Sequence, residues 1–159
     1  MDSPSRIRHP APGPAFYCDN NVHRLGRTLR MLGYDTLLFG AGPDDELRRL
    51  RDETGRKLLS RDSDFLNEEN TLVVGCDDYW SQLEIVVKHY SLDIKSYRYS
   101  LCLDCNQAII PVSVSKHAGK IPEWLVRCDG PLWQCSDCLK LYWAGSHLDH
   151  MEARFDSLG

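Results

Sequence analysis

The sequence lacks an apolar run long enough to cross a bilayer, and it lacks a signal-peptide pattern. It also lacks an excess of positive charge, since 19 Lys and Arg stand against 23 Asp and Glu, a formal net charge of -4. These features predict a cytoplasmic protein with no membrane partner and with weak nonspecific affinity for nucleic acid. Any nucleic-acid role would depend on a local basic surface or on metal ions that bridge carboxylates to phosphate.

Composition predicts four segments along the chain. Residues 1–14 contain four prolines and no apolar periodicity, which is typical of a disordered leader. Residues 15–96 hold the regular strand and helix patterns and most of the acid excess, with fourteen Asp and Glu against ten Lys and Arg between positions 16 and 90. Residues 97–151 form a cysteine-bearing module of short irregular pieces, and residues 152–159 a tail.

The second segment alternates short apolar runs with amphipathic helices. Strands are predicted at residues 15–18, 34–39, 57–60 and 72–74; helices are predicted at 22–32, from 44 to the glycine at 55, and from a capping box at 81–84. This order predicts an α/β fold: a small, mostly parallel sheet flanked by helices, with right-handed crossovers.

Acidic residues follow three of these strands. Asp19 follows the first strand, Asp44 or Asp45 the second, and Asp62 and Asp64 the third. Each acid taken alone can be interpreted as a helix cap or a turn former. Because the carboxyl ends of parallel strands gather along one edge of the sheet, the joint pattern favours a carboxylate cluster that binds Mg²⁺ or Mn²⁺.

Basic and aromatic residues provide candidates for RNA contact. The first helix places its leucines on one face and its arginines on the other, a pattern that fits either a solvated face or a phosphate-binding surface. The aromatics near position 143 are either module core or a base-stacking platform, and His147 is a general acid or base, a nucleic-acid contact or a surface residue. The candidates are Arg24, Arg27, Arg30, Arg61, Trp143 and His147.

Two C-x-x-C pairs carry the most specific signal in the sequence. Cys102 with Cys105, and Cys135 with Cys138, supply four thiolates that can close a tetrahedral zinc site. Four cysteines leave no open coordination position, which indicates a structural zinc, and the long spacing between the pairs is typical of a zinc ribbon. A redox C-x-x-C would open a helix, and neither pair does so convincingly. Cys128 is a competing ligand that the paired spacing disfavours.

Several strings taken together resemble the Mut-seven carboxy-terminal RNase family, a PIN-like nuclease domain followed by a zinc ribbon. They are residues 17–21, 29–36, 60–62 and 142–147, together with the two cysteine pairs. The resemblance covers residues 15 to about 151. It implies a metal-dependent ribonuclease whose catalytic acids are Asp19, Asp44 and Asp62, with Asp64 and Asp45 as supporting positions. It implies RNA as the partner, and no nucleotide cofactor is expected.

Three hypotheses follow. The first is hydrolysis of RNA phosphodiester bonds at a carboxylate-bound Mg²⁺ or Mn²⁺ site, with the zinc ribbon aiding substrate binding. The second is a catalytically inactive RNA-binding or ribosome-associated adaptor that works through its zinc ribbon. The third, a phosphoacceptor or phosphatase using the acids at 62 and 64, ranks last because that pair follows the third strand and no lysine stands at a later strand end.

Overall fold

The computed structural model describes residues 9–158. The first eight residues of the predicted leader therefore lie outside the described residues. The described chain forms a four-stranded sheet and a separate three-stranded sheet, with helices against both. Among residues 9–158, no helix combines the length and the apolar character that a membrane crossing requires.

The four-stranded sheet is parallel, as predicted. Its strands are β1 (Phe16–Cys18), β2 (Thr36–Leu38), β3 (Lys57–Ser60) and β4 (Thr71–Val73), in the order β2-β1-β3-β4. Cys18 lies opposite both Leu38 of β2 and Leu59 of β3. The first strand is therefore central, and the carboxyl ends of its two neighbours lie on either side of its own.

Helices cover both faces of this sheet. They are α1 (His23–Met31), α2 (Asp44–Thr54) and α3 (Tyr79–Tyr90). Successive residues of a strand face opposite sides: Leu59 packs in the apolar cluster of α1 and α3, whereas Leu58 packs with Leu47 of α2. The mixed α/β layering confirms the predicted fold class.

Two helix ends illustrate how local chemistry sets the boundaries. Gly33, just after α1, has φ +96°, and a Cβ there would lie 2.2 Å from the carbonyl oxygen of Tyr97, so only glycine fits. The helix α3 begins two residues before the predicted box. Asp78 caps it by accepting a hydrogen bond from the Ser81 amide at 2.9 Å, because a carboxylate is a favourable acceptor at the positive end of a helix.

The three-stranded sheet is antiparallel and carries the cysteines. Its strands β5 (Ile109–Pro111), β6 (Leu132–Cys135) and β7 (Leu141–Trp143) lie in chain order, and α4 (Glu123–Cys128) precedes β6. The two C-x-x-C pairs, which we call the first and second knuckle, come together at one end of this sheet, so the four cysteines are grouped as in a zinc ribbon. We refer to this three-stranded module below as the ribbon.

A final helix, α5 (Ser146–Asp156), was not predicted. Its Met151 and Phe155 are buried in the same cluster as Phe16 of β1. Buried Arg98 donates to Glu152 at 2.6 Å and to Asp156 at 3.0 Å, which fixes the end of the helix. The chain thus returns to the first sheet after the ribbon. The domain boundaries at 96/97 and 151/152 stay predictions.

The ribbon docks on the first sheet through a buried arginine. Arg30 of α1 is 4% exposed and donates from Nε to the Thr36 carbonyl at 2.8 Å and from Nη1 to the Leu103 carbonyl at 2.7 Å. Asn106, which follows the first knuckle, accepts a hydrogen bond from the Thr36 amide at 3.0 Å. Since β2 is an edge strand, these contacts fill part of its open edge with the cysteine knuckle.

Candidate active site

Three carboxylates meet beyond the ends of the parallel strands. One oxygen from each of Asp44, Asp62 and Asp64 lies within 4.8 Å of the others. Asp44 is the first residue of α2, which begins after the loop leaving β2. Asp62 and Asp64 lie just after β3, the latter in a 3₁₀ turn at Ser63–Phe65. We call these three residues the acid cluster.

The turn after β3 fixes the direction of Asp62. Its Oδ1 accepts a hydrogen bond from the Asp64 amide at 2.9 Å, which is the capping role that the sequence allows. Its own amide donates to Ser60 Oγ at 3.0 Å. Within residues 9–158, the second carboxylate oxygen of Asp62 has no hydrogen-bond partner. The turn therefore uses only one oxygen of Asp62 and leaves the other available to a metal ion.

Asp19 lies beside the acid cluster and is linked to it through a serine. It is 7% exposed, its Oδ1 accepts from the Asn20 amide at 2.7 Å, and its Oδ2 accepts from the Ser60 hydroxyl at 2.7 Å. Ser60 in turn accepts from the Asp62 amide. Because β1 lies between β2 and β3, Asp19 occupies the centre of the edge on which the cluster forms, although its oxygens are not within the 4.8 Å group.

Asp44 and Asp45 have different surroundings, a distinction that the sequence left open. The side chain of Asp45 is 93% exposed and pairs with Arg48 at 3.0 Å, one turn further along α2. Asp44 instead shares the acid cluster. Neighbouring helical residues point about 100° apart, so only one of the two reaches the cluster.

The predicted arginines lie in two kinds of environment. Arg24, Arg27 and Arg61 are exposed. Arg27 pairs with Asp104 of the first knuckle at 3.0 Å, and Arg61 pairs with Asp77. Buried Arg30 instead links α1, β2 and the ribbon, so it lies outside the accessible surface and we assign it no RNA contact.

The other two candidates for RNA contact, Trp143 and His147, also lie in different environments. Trp143 is half-buried in β7 and packs against the ribbon core of Val114 and Leu125, which favours a core role over a stacking platform. His147 is exposed in the first turn of α5.

The second candidate metal site is the group of four cysteines. All four Sγ atoms lie within 4.8 Å of one another, with Cys102 and Cys138 at 3.7 Å and Cys105 and Cys135 at 3.2 Å. A disulfide would bring two sulfurs to about 2.05 Å. A tetrahedral metal with sulfur ligands at about 2.3 Å requires sulfurs roughly 3.8 Å apart. The observed spacing therefore fits four metal ligands better than disulfides.

The surroundings of these cysteines give their thiols different pKa values. Burial raises the pKa of Cys102, but hydrogen bonds from the Tyr142 hydroxyl and from the amides of Asp104 and Cys105 outweigh it and lower the pKa to about 7. Burial and the neighbouring Cys135 thiol raise the pKa of Cys105 to about 12. Four adjacent thiolates repel one another, so a bound cation is what would allow all four to ionise.

Two polar side chains that connect parts of the structure were not identified from the sequence. Ser60 joins Asp19 to Asp62, and Asn106 joins the first knuckle to β2. The only sequence signal for Ser60 was its position immediately before Arg61-Asp62 in one of the family-like strings. Asn106 directly follows a knuckle cysteine, but its partner is 70 residues away, which spacing alone does not reveal.

Comparison with known proteins identifies one family. The family model described as Mut7-C RNAse domain matches residues 14–155, a span that contains both the acid cluster and the four cysteines. No curated protein matches the chain in a sequence search. The family match confirms the resemblance seen in the sequence and supports a nuclease-like role with RNA as the substrate class.

We predict that Asp44→Asn weakens Mn²⁺ binding by about tenfold or more, since even a group that only supports a metal ligand typically contributes that much. The matched control is Asp45→Asn, which removes the same charge one residue away and outside the cluster. Calorimetric titration of Mn²⁺ into each variant, with the cysteine metal already loaded, measures the difference. Equal weakening in both variants would mean that general charge, and not the cluster, determines binding.

Proposed function

Since the chain belongs to the Mut7-C RNAse domain family, we propose that it is a ribonuclease that hydrolyses RNA phosphodiester bonds with Mg²⁺ or Mn²⁺ held by Asp44, Asp62 and Asp64. The supporting observation is the approach of three carboxylates from two strand ends to within 4.8 Å. Three negative charges at that distance repel one another, and a cation among them would remove that repulsion.

The spread of the oxygens suits one octahedral cation. With metal–oxygen distances of about 2.1 Å, adjacent ligand oxygens lie roughly 3.0 Å apart and opposite ones roughly 4.2 Å apart. The 4.8 Å limit of the acid cluster is slightly above the opposite spacing and well above the adjacent one, so metal binding would require side-chain rotations that bring the three oxygens closer together. Mg²⁺ also retains waters and takes substrate phosphate as a ligand, which a cluster of only three protein ligands permits.

The surrounding residues position the acids for this chemistry. Asp62 is held by the Asp64 amide and by the link through Ser60 to Asp19, so its free oxygen keeps one direction. Asp19 adds negative charge at the centre of the sheet edge, as a fourth proposed acid. When bound, the metal ion would activate water for attack on phosphorus and neutralise charge on the phosphate oxygens. Arg61, next to Asp62 in the chain, is proposed to contact substrate phosphate.

Zinc is the proposed metal of the cysteine cluster, with a structural role. Four thiolates and no open ligand position are typical of zinc sites that stabilise a fold. The ribbon docks beside α1 and β2, and we propose that it aids RNA binding through its exposed surface near Arg27 and His147. Seven cysteines without a disulfide suit a reducing compartment, so we propose a cytoplasmic location.

We predict that the protein cleaves end-labelled RNA in Mg²⁺ or Mn²⁺ and that Asp62→Asn lowers the rate by roughly a hundredfold or more, since a catalytic metal contributes several kcal/mol of charge stabilisation. Structured and single-stranded RNAs are tested side by side, with Asp45→Asn as the matched control. EDTA should abolish cleavage, and Mg²⁺ alone, added after the cysteine metal has been restored, should return it.

Two outcomes would contradict the ribonuclease. Cleavage that persists in excess chelator would rule out the metal-dependent mechanism. Intact RNA with every metal, together with tight RNA binding that Asp62→Asn leaves unchanged, would support the alternative of an inactive RNA-binding or ribosome-associated adaptor.

We predict one zinc per chain in the wild-type protein and loss of that zinc in Cys135→Ser, because Cys135 is one of the four clustered ligands. Cys128→Ser is the control, since Cys128 is exposed and lies outside the cluster. Elemental analysis of the purified proteins measures the content. Zinc retained by Cys135→Ser but lost from Cys128→Ser would show that the ligand set is wrong.

A further inference from the structure

A cavity of about 360 Å³ lies between the turn after β1 and the start of α3, and contacts of Arg61 link it to the segment that carries the acid cluster. Arg61 connects the two places. It precedes Asp62 in the chain, its amide donates to Asn21 Oδ1 at 3.1 Å, and its side chain pairs with Asp77. Both Asn21 and Asp77 line the cavity. Arg61 thus joins the cavity lining to the chain segment that holds Asp62.

Two arginines and two aromatic rings form one side of this cavity. The Arg24 guanidinium lies 4.0 Å from the centre of the Tyr79 ring, and that of Arg154 lies 4.1 Å from the Trp80 ring. Arg154 also donates to the Tyr79 hydroxyl at 3.0 Å. The rings thus hold both guanidinium groups in place, which lowers the entropy lost when they bind a ligand.

The cavity lining carries two arginines and two aspartates, so its formal charges balance, and Arg61 adds one positive charge through its pair with Asp77. Within residues 9–158, neither Arg24 nor Arg154 forms an ion pair with a carboxylate. The two acids of the lining are already engaged, since Asp77 pairs with Arg61 and Asp78 caps α3 through the Ser81 amide. The two arginines are therefore the charged groups of the lining that are left to bind an incoming phosphate.

We propose that this cavity binds a nucleotide of single-stranded RNA adjacent to the scissile phosphate, with Arg24 and Arg154 contacting its phosphate and Tyr79 positioning both guanidinium groups. The proposal rests on the ribonuclease function proposed above and names a binding subsite for it. The volume of the cavity lies within the range of about 300–1,000 Å³ that is typical of small-ligand pockets. The Trp80 ring already contacts Arg154 and Phe155, so the guanidinium groups are the planar groups available to the face of an unpaired base, which duplex RNA does not offer.

The test measures RNA binding separately from cleavage. In an Asp62→Asn background with Mg²⁺, the dissociation constant of a labelled single-stranded RNA is measured between low and high salt. Each phosphate contact to a single strand contributes about 0.7 to the slope of log K against log salt. We expect Arg24→Ala and Arg154→Ala each to reduce the slope by about that amount, and Arg49→Ala, which removes an exposed arginine of α2, to leave it unchanged.

Two further variants test the positioning role and the fold. Tyr79→Ala should weaken binding, and Tyr79→Phe should restore most of it, because the phenyl ring keeps its contact with Arg24. Arg24→Gln and Arg154→Gln repeat the charge removal with a longer polar side chain, in case the alanine variants fail to fold. Circular dichroism establishes that each variant retains the parent fold.

Several results would overturn the subsite. They are an unchanged slope in the folded Arg24 and Arg154 variants, an equal loss in Arg49→Ala, an equal loss for duplex RNA, and the absence of RNA binding altogether. The two proposals fail separately. Wild-type cleavage with unchanged slopes would retain the ribonuclease and reject the subsite, whereas the expected slopes in a protein that never cleaves RNA would retain the subsite and reject the ribonuclease.

Discussion

The parallel pairing of β1 with both β2 and β3 is the constraint on which the site depends. The ladder continues past the strand ends, where the Phe39 amide donates to the Cys18 carbonyl at 2.8 Å and the Asp19 amide donates to the Leu59 carbonyl at 2.9 Å. Three chain segments therefore leave the sheet side by side at one edge. Acids on these segments approach one another because the backbone places them there, and the buried apolar residues on both faces hold that backbone rigid.

The ribbon depends on the same sheet through a different edge. Arg56 and Asn106 both donate to Asp35, which precedes β2. Burial raises the pKa of Asp35, but these two hydrogen bonds outweigh it and hold the pKa below its ordinary value. Together with Arg30, they join the first cysteine knuckle to the strand whose carboxyl end leads to Asp44. Direct contacts therefore join the first knuckle to the strand that precedes the Asp44 loop, although we propose different metals for the cysteine group and the acid cluster.

The sequence predicted those features that depend on local periodicity or on a fixed spacing between residues. The strand at residues 57–60 matches its predicted bounds, and the two C-x-x-C pairs converge as their spacing indicates. Features set by distant partners could not be found in this way: Phe155 stacks on Trp80 75 positions earlier, and Arg154 reaches Tyr79 across the same distance. The choice between Asp44 and Asp45 depends on the angle at which α2 leaves its loop, and no composition rule encodes that angle.

The most direct test of the central claim is whether a metal ion contacts the phosphate that is cleaved. An RNA with sulfur in place of a nonbridging oxygen at the cleaved position is compared with its parent, in Mg²⁺ and then in Mn²⁺. Sulfur is a poor ligand for Mg²⁺ and a better one for the softer Mn²⁺. Our account predicts slow cleavage of the sulfur-containing RNA in Mg²⁺ and recovery in Mn²⁺. Equal cleavage of both RNAs in either metal, with a 2′,3′-cyclic phosphate as the product, would contradict it.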